Sequence, residues 1–369
     1  MFLALPTVLH AAELPQLNQS CAAAMDKADL STAVRDCQQA AVQAADGKSP
    51  VPQQVQAFDN LGDLLAAQGR LADAKASYQK SVSALQRGGA TDTLELAQSY
   101  EKLGNVAMRA GRLADAEPLF KRTLAIREAR AGAQSKETAN ALHSLGMLAM
   151  LARKPEAAEA FFQQAGLIRE KVLAPNDPMI GRTLANVAVA VQASKGAEAA
   201  DPIYRQALAV QEAAIGKTDV SLCDTIESLA RVVAQRGQLQ EAENLWNRSI
   251  AIKEKSTGAT SPDVATALNE MALVLVTQRN YPVAEIVFRR ALAIREKAFG
   301  LKDLQVAEIT NNLGALLYTQ GKYTEALPML QHTAAVTYVA LGADATITKN
   351  RWNNLTRAMA GAASPSPVR

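Results

Sequence analysis

One pattern returns along this chain every 42 residues, and it limits the possible folds more than any bulk property does. An apolar residue followed by a small one stands at Leu61/Gly62, Leu103/Gly104, Leu145/Gly146, Val187/Ala188, Leu229/Ala230, Met271/Ala272 and Leu313/Gly314. Twelve residues after each small member comes an alanine, from Ala74 through Ala116, Ala158, Ala200, Ala242 and Ala284 to Ala326. Four residues further on stands a bulky residue: Tyr78, Phe120, Phe162, Tyr204, Trp246, Phe288 and Leu330. Self-similarity at this period is the mark of a repeat architecture.

The spacing has a packing reason. A small residue on one helix and an alanine on the next let two antiparallel helices approach closely, and the large residue one turn later fills the groove beside them. Each repeat is therefore predicted to be one helical hairpin. Gly69, Gly111, Gly237 and Gly321 fall where first helices should end, because glycine takes the left-handed terminal conformation cheaply. Asp177-Pro178 and Ser261-Pro262 supply a cap and then a proline where other first helices should begin. One hairpin cannot bury its own apolar face, so neighbours must stack into an open all-α solenoid. The aromatic content of 4% agrees, since it suits closely packed helices better than strands. A net charge of +3 without a basic block leaves nucleic acid no electrostatic footprint.

Leu292-Ala293-Ile294-Arg295-Glu296-Lys297, with Asn311 to Tyr318 and Gly321-Lys322-Tyr323-Thr324-Glu325-Ala326 downstream, resembles the tetratricopeptide (TPR) repeats of kinesin light chains. Many bacterial proteins carry such arrays. The resemblance runs from about Phe58 to Leu355 and implies a right-handed superhelix of antiparallel hairpins. It also implies that the exposed face of each first helix lines a concave groove that binds a protein or peptide. The family's clamp for acidic C-terminal motifs is not reproduced, because Asp59 and Asp63 stand where cationic and amide groups would be wanted.

At the amino-terminal end, residues 1–12 read as a secretory leader, a short apolar run ending in small residues and lacking the usual basic start. No later stretch is apolar and long enough to anchor the chain in a bilayer. Residues 13–54 read as a degenerate first hairpin, with Cys21 at the small-residue position and Cys37 at the bulky one. In an exported chain these two would form a disulfide; otherwise they are two small buried thiols. A periplasmic or secreted location goes with the first reading and a cytoplasmic one with the second. Seven repeats are expected over 55–345, a lone capping helix over 346–360 and a disordered tail over 361–369.

On the groove face the expected binding positions are Asn60, Asn105, Met108, Asn140, His143, Met147, Met150, Asn186, Val189, Gln192, Arg231, Asn269, Leu273 and Asn312. An asparagine carboxamide both donates and accepts, so a row of them can grip a peptide main chain, while methionine offers an adaptable apolar pocket. Methionines packed between hairpins and solvated asparagines are the competing reading. Three histidines far apart, three cysteines and no phosphate loop offer no catalytic constellation, cofactor or metal set. The expected role is a non-catalytic scaffold; a regulatory arm acting in trans, or self-association through an end hairpin, are the alternatives.

Overall fold

A computed structural model describes residues 13–363. The expected leader, residues 1–12, and residues 364–369 lie outside the described residues. Seventeen α-helices and no strand occur among the described residues. They fall into two compact units, Met1–Pro175 and Asn176–Arg369.

The first unit holds α1 (Leu14–Asp26), α2 (Leu30–Ala44), α3 (Val51–Ala67), α4 (Leu71–Arg87), α5 (Leu94–Arg109), α6 (Leu113–Ala131), α7 (Lys136–Leu151) and α8 (Pro155–Val172). The second holds α9 (Pro178–Lys195), α10 (Ala197–Ile215), a 3-10 turn at Val220–Leu222, α11 (Cys223–Gln235), α12 (Leu239–Thr257), α13 (Pro262–Thr277), α14 (Tyr281–Phe299), α15 (Leu304–Thr319), α16 (Tyr323–Leu341) and α17 (Thr346–Ala363). Within each unit the helices pair as hairpins, and the second helix of one hairpin packs on the first helix of the next.

The repeat pattern accounts for these contacts. All seven alanines from Ala74 to Ala326 are fully buried, and so are the bulky residues four positions on. A Cβ added to Gly62 would come 2.4 Å from Tyr78 Cε1, and one on Gly146 would come 2.5 Å from Phe162 Cε1. The glycine is thus the space into which the aromatic ring of its own hairpin fits. Several first helices start at capped residues: the side chains of Ser135, Asp177, Ser261 and Asp303 each accept from a backbone N–H in the first turn. First helices end on left-handed residues. Gly69 has φ +75°, and at the same register Arg153 and Arg279 adopt φ +56° and +60° without being glycine.

Two expected boundaries move. Helix α3 starts at Val51 rather than after residue 54, because Pro52 sits in its first turn and the buried Gln54 donates to Ser49 O at 2.5 Å. Helix α17 continues to Ala363, so residues 361–363 of the expected disordered tail are helical. Gly361 faces the Tyr318 ring so closely that a Cβ would lie 2.7 Å from Cε2, and this contact holds the helix where a glycine alone would suggest a stop. At the other end, Cys21 of α1 and Cys37 of α2 are joined as a disulfide, with Cα atoms 5.0 Å apart. Cys223 is free and buried, and burial pushes its thiol pKa up.

Candidate functional site

In the first unit the exposed sides of α3, α5 and α7 are joined by polar rungs. Lys102 of α5 reaches Asp59 at 3.3 Å and Asp63 at 2.8 Å on α3, and Tyr78 OH donates to Asp63 at 2.5 Å. Burial holds the Asp59 carboxyl above its usual range, with the Lys102 charge working against the shift. Glu101 of α5 accepts both guanidinium nitrogens of Arg127, at 3.1 and 2.6 Å, and the Ser144 hydroxyl of α7 at 3.2 Å. Asn60 donates to Asn18 O at 3.2 Å, and Asn140 accepts from the buried Arg169 at 2.8 Å. Asn105 and Met150 are half-buried, while Met108 packs against the core around Phe120 and Leu145. His143 lies against the Phe162 ring, with centroids 5.3 Å apart. Met147 is 38% exposed.

In the second unit Gln192 is pinned twice, accepting from Tyr204 OH at 3.1 Å and donating to Gln235 at 3.4 Å. Burial pushes the Tyr204 phenol up to about 12. Asn186 is half-buried and Val189 is 38% exposed. Arg231 of α11 lies over the buried Trp246 ring, 5.5 Å from its centroid, and stands 4.0 Å from Glu227 and 3.9 Å from Glu270. Glu227 is better served by Lys253 at 2.5 Å and Ser249 at 2.6 Å, which leaves the Arg231 guanidinium only loosely held. Burial raises the Glu270 carboxyl, with Arg231 opposing. Arg231, Trp246 and Glu270, with Leu273 and Val274 of α13, line a cleft of about 350 Å³. Leu273 is 39% exposed.

The asparagines need a correction. Asn269 is buried rather than open to a ligand, and its Oδ1 accepts from Asn312 Nδ2 at 3.1 Å. Asn311 and Asn354 repeat the bond one hairpin later, also at 3.1 Å. Successive first helices lean so that a residue meets the one 43 positions on, and the carboxamides expected to hold a peptide main chain are spent largely on holding the array.

A second polar row escaped the sequence reading. Arg127, Arg169, Lys253 and Arg295 share one register, and Arg295 donates to Gln305 and Thr266. The signal was present as the triplet Ile-Arg/Lys-Glu at 126–128, 168–170, 252–254 and 294–296. Among the described residues, no group of three or more His, Cys, Asp or Glu is arranged to hold a metal ion, and no helix is long and apolar enough to cross a membrane.

Within each unit, one register position of the first helices includes side chains that stay exposed or loosely held. In the first unit it is Asp63, engaged by Lys102 and Tyr78, the half-buried Asn105 and the exposed Met147; in the second it is Val189, Arg231 and Leu273. Three of its members are exposed apolar side chains and one is the loosely held arginine.

The tetratricopeptide repeat family model matches residues 53–129, 95–165, 137–213, 221–297 and 263–338. No curated protein matches the chain. Among solved structures, the nearly identical kinesin light chain TPR-like repeats of Podosopora anserina share 20% identity, cover 57% of this chain and 99% of their own, and give a TM-score of 0.51. The apo quorum sensor NprR of B. thuringiensis shares 14% identity, with 89% of each chain covered and a TM-score of 0.63. A Rap protein complexed with competence and sporulation factor shares 13% identity, covers 95% of this chain and 98% of its own, and gives a TM-score of 0.55.

Proposed function

The chain belongs to the tetratricopeptide repeat family, and from that premise we propose that it works by binding, as a non-catalytic scaffold that seats a peptide or protein segment on its first helices. The observation that carries this lies in the second unit, where the exposed Val189 and Leu273 share the register of the loosely held Arg231, among polar side chains that are already engaged with one another. Apolar side chains left open at one repeat register supply anchor pockets, and the satisfied polar rungs around them keep that face rigid and ready.

The cleft over Trp246 supports a more specific reading of the second unit. It offers an aromatic floor, an apolar wall at Leu273 and a cation at Arg231 that is free to trade two distant carboxylates for a closer one. A ligand that sets an apolar side chain beside an acidic one fits this chemistry. The fold relative solved with competence and sporulation factor supports a bound ligand on an array of this length.

The disulfide between Cys21 and Cys37 supports an oxidising compartment such as the periplasm.

The test is affinity capture with the Leu273→Asp and Arg231→Glu variants beside the unaltered protein. Loss of the same captured partner from both variants, with unchanged helicity, is the expected result. Equal recovery by all three would remove the second-unit cleft from consideration.

A further inference from the structure

Neighbouring second helices are tied together by charge at one register, and in one place the tie lacks a member. In the second unit Arg289 of α14 meets Glu285 of its own helix and Glu325 of α16, each at 2.9 Å. Lys322, the residue before α16, meets Glu285 at 2.7 Å. Two acids and two bases make a balanced set. Two repeats earlier, Arg205 of α10 likewise meets Asp201 of its own helix at 2.5 Å and Glu241 of α12 at 2.6 Å.

In the first unit the same four positions hold Glu117 and Lys121 of α6, Lys154 before α8, and Ala157 within α8. Lys121 pairs with Glu117 on its own helix at 2.7 Å, but an alanine stands where the next helix should supply its acid. Of the three cations at this register, Lys121, Arg205 and Arg289, it alone has no acid at the facing position. Where Val283 of α14 replaces the acid, the preceding second helix carries Asn247, so cation and acid are absent together. Between α6 and α8 the carboxylate is gone and both amines remain, which leaves an excess of one positive charge.

The short side chain of Ala157 also leaves a space. Lys121, Lys154 and Ala157 line a cavity of about 230 Å³ with Leu145, Leu148 and Phe161. The lysines are exposed and stand at its mouth, while the buried Leu145 and Leu148 of α7 form its floor. Small-molecule pockets run to roughly 300–1,000 Å³, so this one suits a single anchoring side chain better than a whole ligand or a long acyl chain.

We propose that the gap between α6 and α8 receives an acidic side chain of a partner protein, with the apolar residue next to it seated on Leu145, Leu148 and Phe161. The incoming carboxylate takes beside Lys121 the place that Glu325 holds beside Arg289, and Lys154 adds a second cation. The apolar neighbour gains the burial that the floor offers. This site lies between second helices of the first unit and does not depend on the cleft of the second unit.

The probe is an end-blocked peptide, Ser-Leu-Glu-Leu-Ser, titrated into the full-length protein with assigned leucine methyl signals. Saturable shifts at Leu145 and Leu148 are expected. The same peptide with glutamine in place of glutamate is expected to bind about tenfold more weakly, the worth of one charge-assisted hydrogen bond. Ala157→Glu, a change at an exposed position, supplies the carboxylate from within and is expected to abolish binding without lowering the thermal melt. Absence of shifts at Leu145 and Leu148, equal affinity for the two peptides, or full binding by the Ala157→Glu variant would overturn the proposal. Shifts produced by raised protein concentration alone would overturn it in favour of a second copy, and shifts produced by octanoate but not by the peptide in favour of a fatty acid.

Discussion

Asn312 on α15 donates to Asn269 on α13 at 3.1 Å, and the two residues lie 43 apart in a chain whose repeat is 42. The extra residue records how each first helix leans on the one before it. Asp59 with Lys102, Glu101 with Ser144, and Asn311 with Asn354 are further rungs of the same offset. Asn312→Ala removes the donor and leaves a buried carboxamide oxygen without its partner, which costs about 1–3 kcal/mol. A urea titration of the variant should show a lower midpoint with an unchanged slope. An unchanged midpoint would mean that the rung carries no stability.

Adding one methyl group separates tight hairpins from looser ones. Gly62→Ala places a Cβ 2.4 Å from the Tyr78 ring, whereas Gly314→Ala places one 3.0 Å from the Leu330 side chain. The first change forces an aromatic ring to move inside a packed interface and should destabilise by about 1–3 kcal/mol. The second meets the end of a flexible side chain, and its helix gains by the loss of a glycine, so the expected change is within about 1 kcal/mol of zero. Melting temperatures of the two variants would rank them, and the reverse order would contradict the packing described.

Arg153 and Arg279 hold the left-handed conformation that glycine fills at the same turn elsewhere. Arg153→Gly and Arg279→Gly should each relieve about 1–2 kcal/mol of backbone strain, offset in part by the freedom glycine gains in the unfolded chain. A net gain of up to about 1 kcal/mol per site is expected, roughly additive for residues with no shared partner. Denaturation of the two single variants and the double variant tests this, and a loss at either site would show that the arginine side chain itself contributes.

Burial raises the Glu270 carboxyl from 4.5, so the folded protein keeps that proton at a higher pH than the unfolded chain does. The sign follows directly: the stability this group contributes is fully present below the unfolded value and is lost as the pH rises through the folded value. Glu270→Gln removes that loss. The variant should therefore gain on the unaltered protein as the pH is raised from 4.5 upward, seen as a widening difference in urea midpoints. A constant difference across the range would show that Glu270 titrates as it does in the unfolded chain.

The hairpins were legible because their packing uses the same residue types each time: Gly62 with Ala74 and Tyr78, Gly146 with Ala158 and Phe162. The rungs between first helices were not, because their chemistry changes from Asp–Lys to Glu–Ser to Asn–Asn while only the offset persists. A helical wheel puts Asn269 on the exposed face of an isolated helix; the neighbouring helix, one residue out of step, buries it. Residues 361–363 were expected in a disordered tail, whereas Gly361 packs against the Tyr318 ring and the helix runs to Ala363, a contact that the composition of the tail does not announce. Within the candidate site, Leu273 and Arg231 were among the expected groove positions, whereas Trp246 was read only as a hairpin filler and lines the same cleft.

The central claim, that the first-helix column meets a partner, is tested most directly by placing a photo-crosslinking amino acid at Leu273 and, as a control, at Ile286, which is exposed on the second helix α14. Irradiation in the native extract should yield a discrete adduct from position 273 and none from position 286. Adducts of equal intensity at both positions, or an adduct only at 286, would contradict the account.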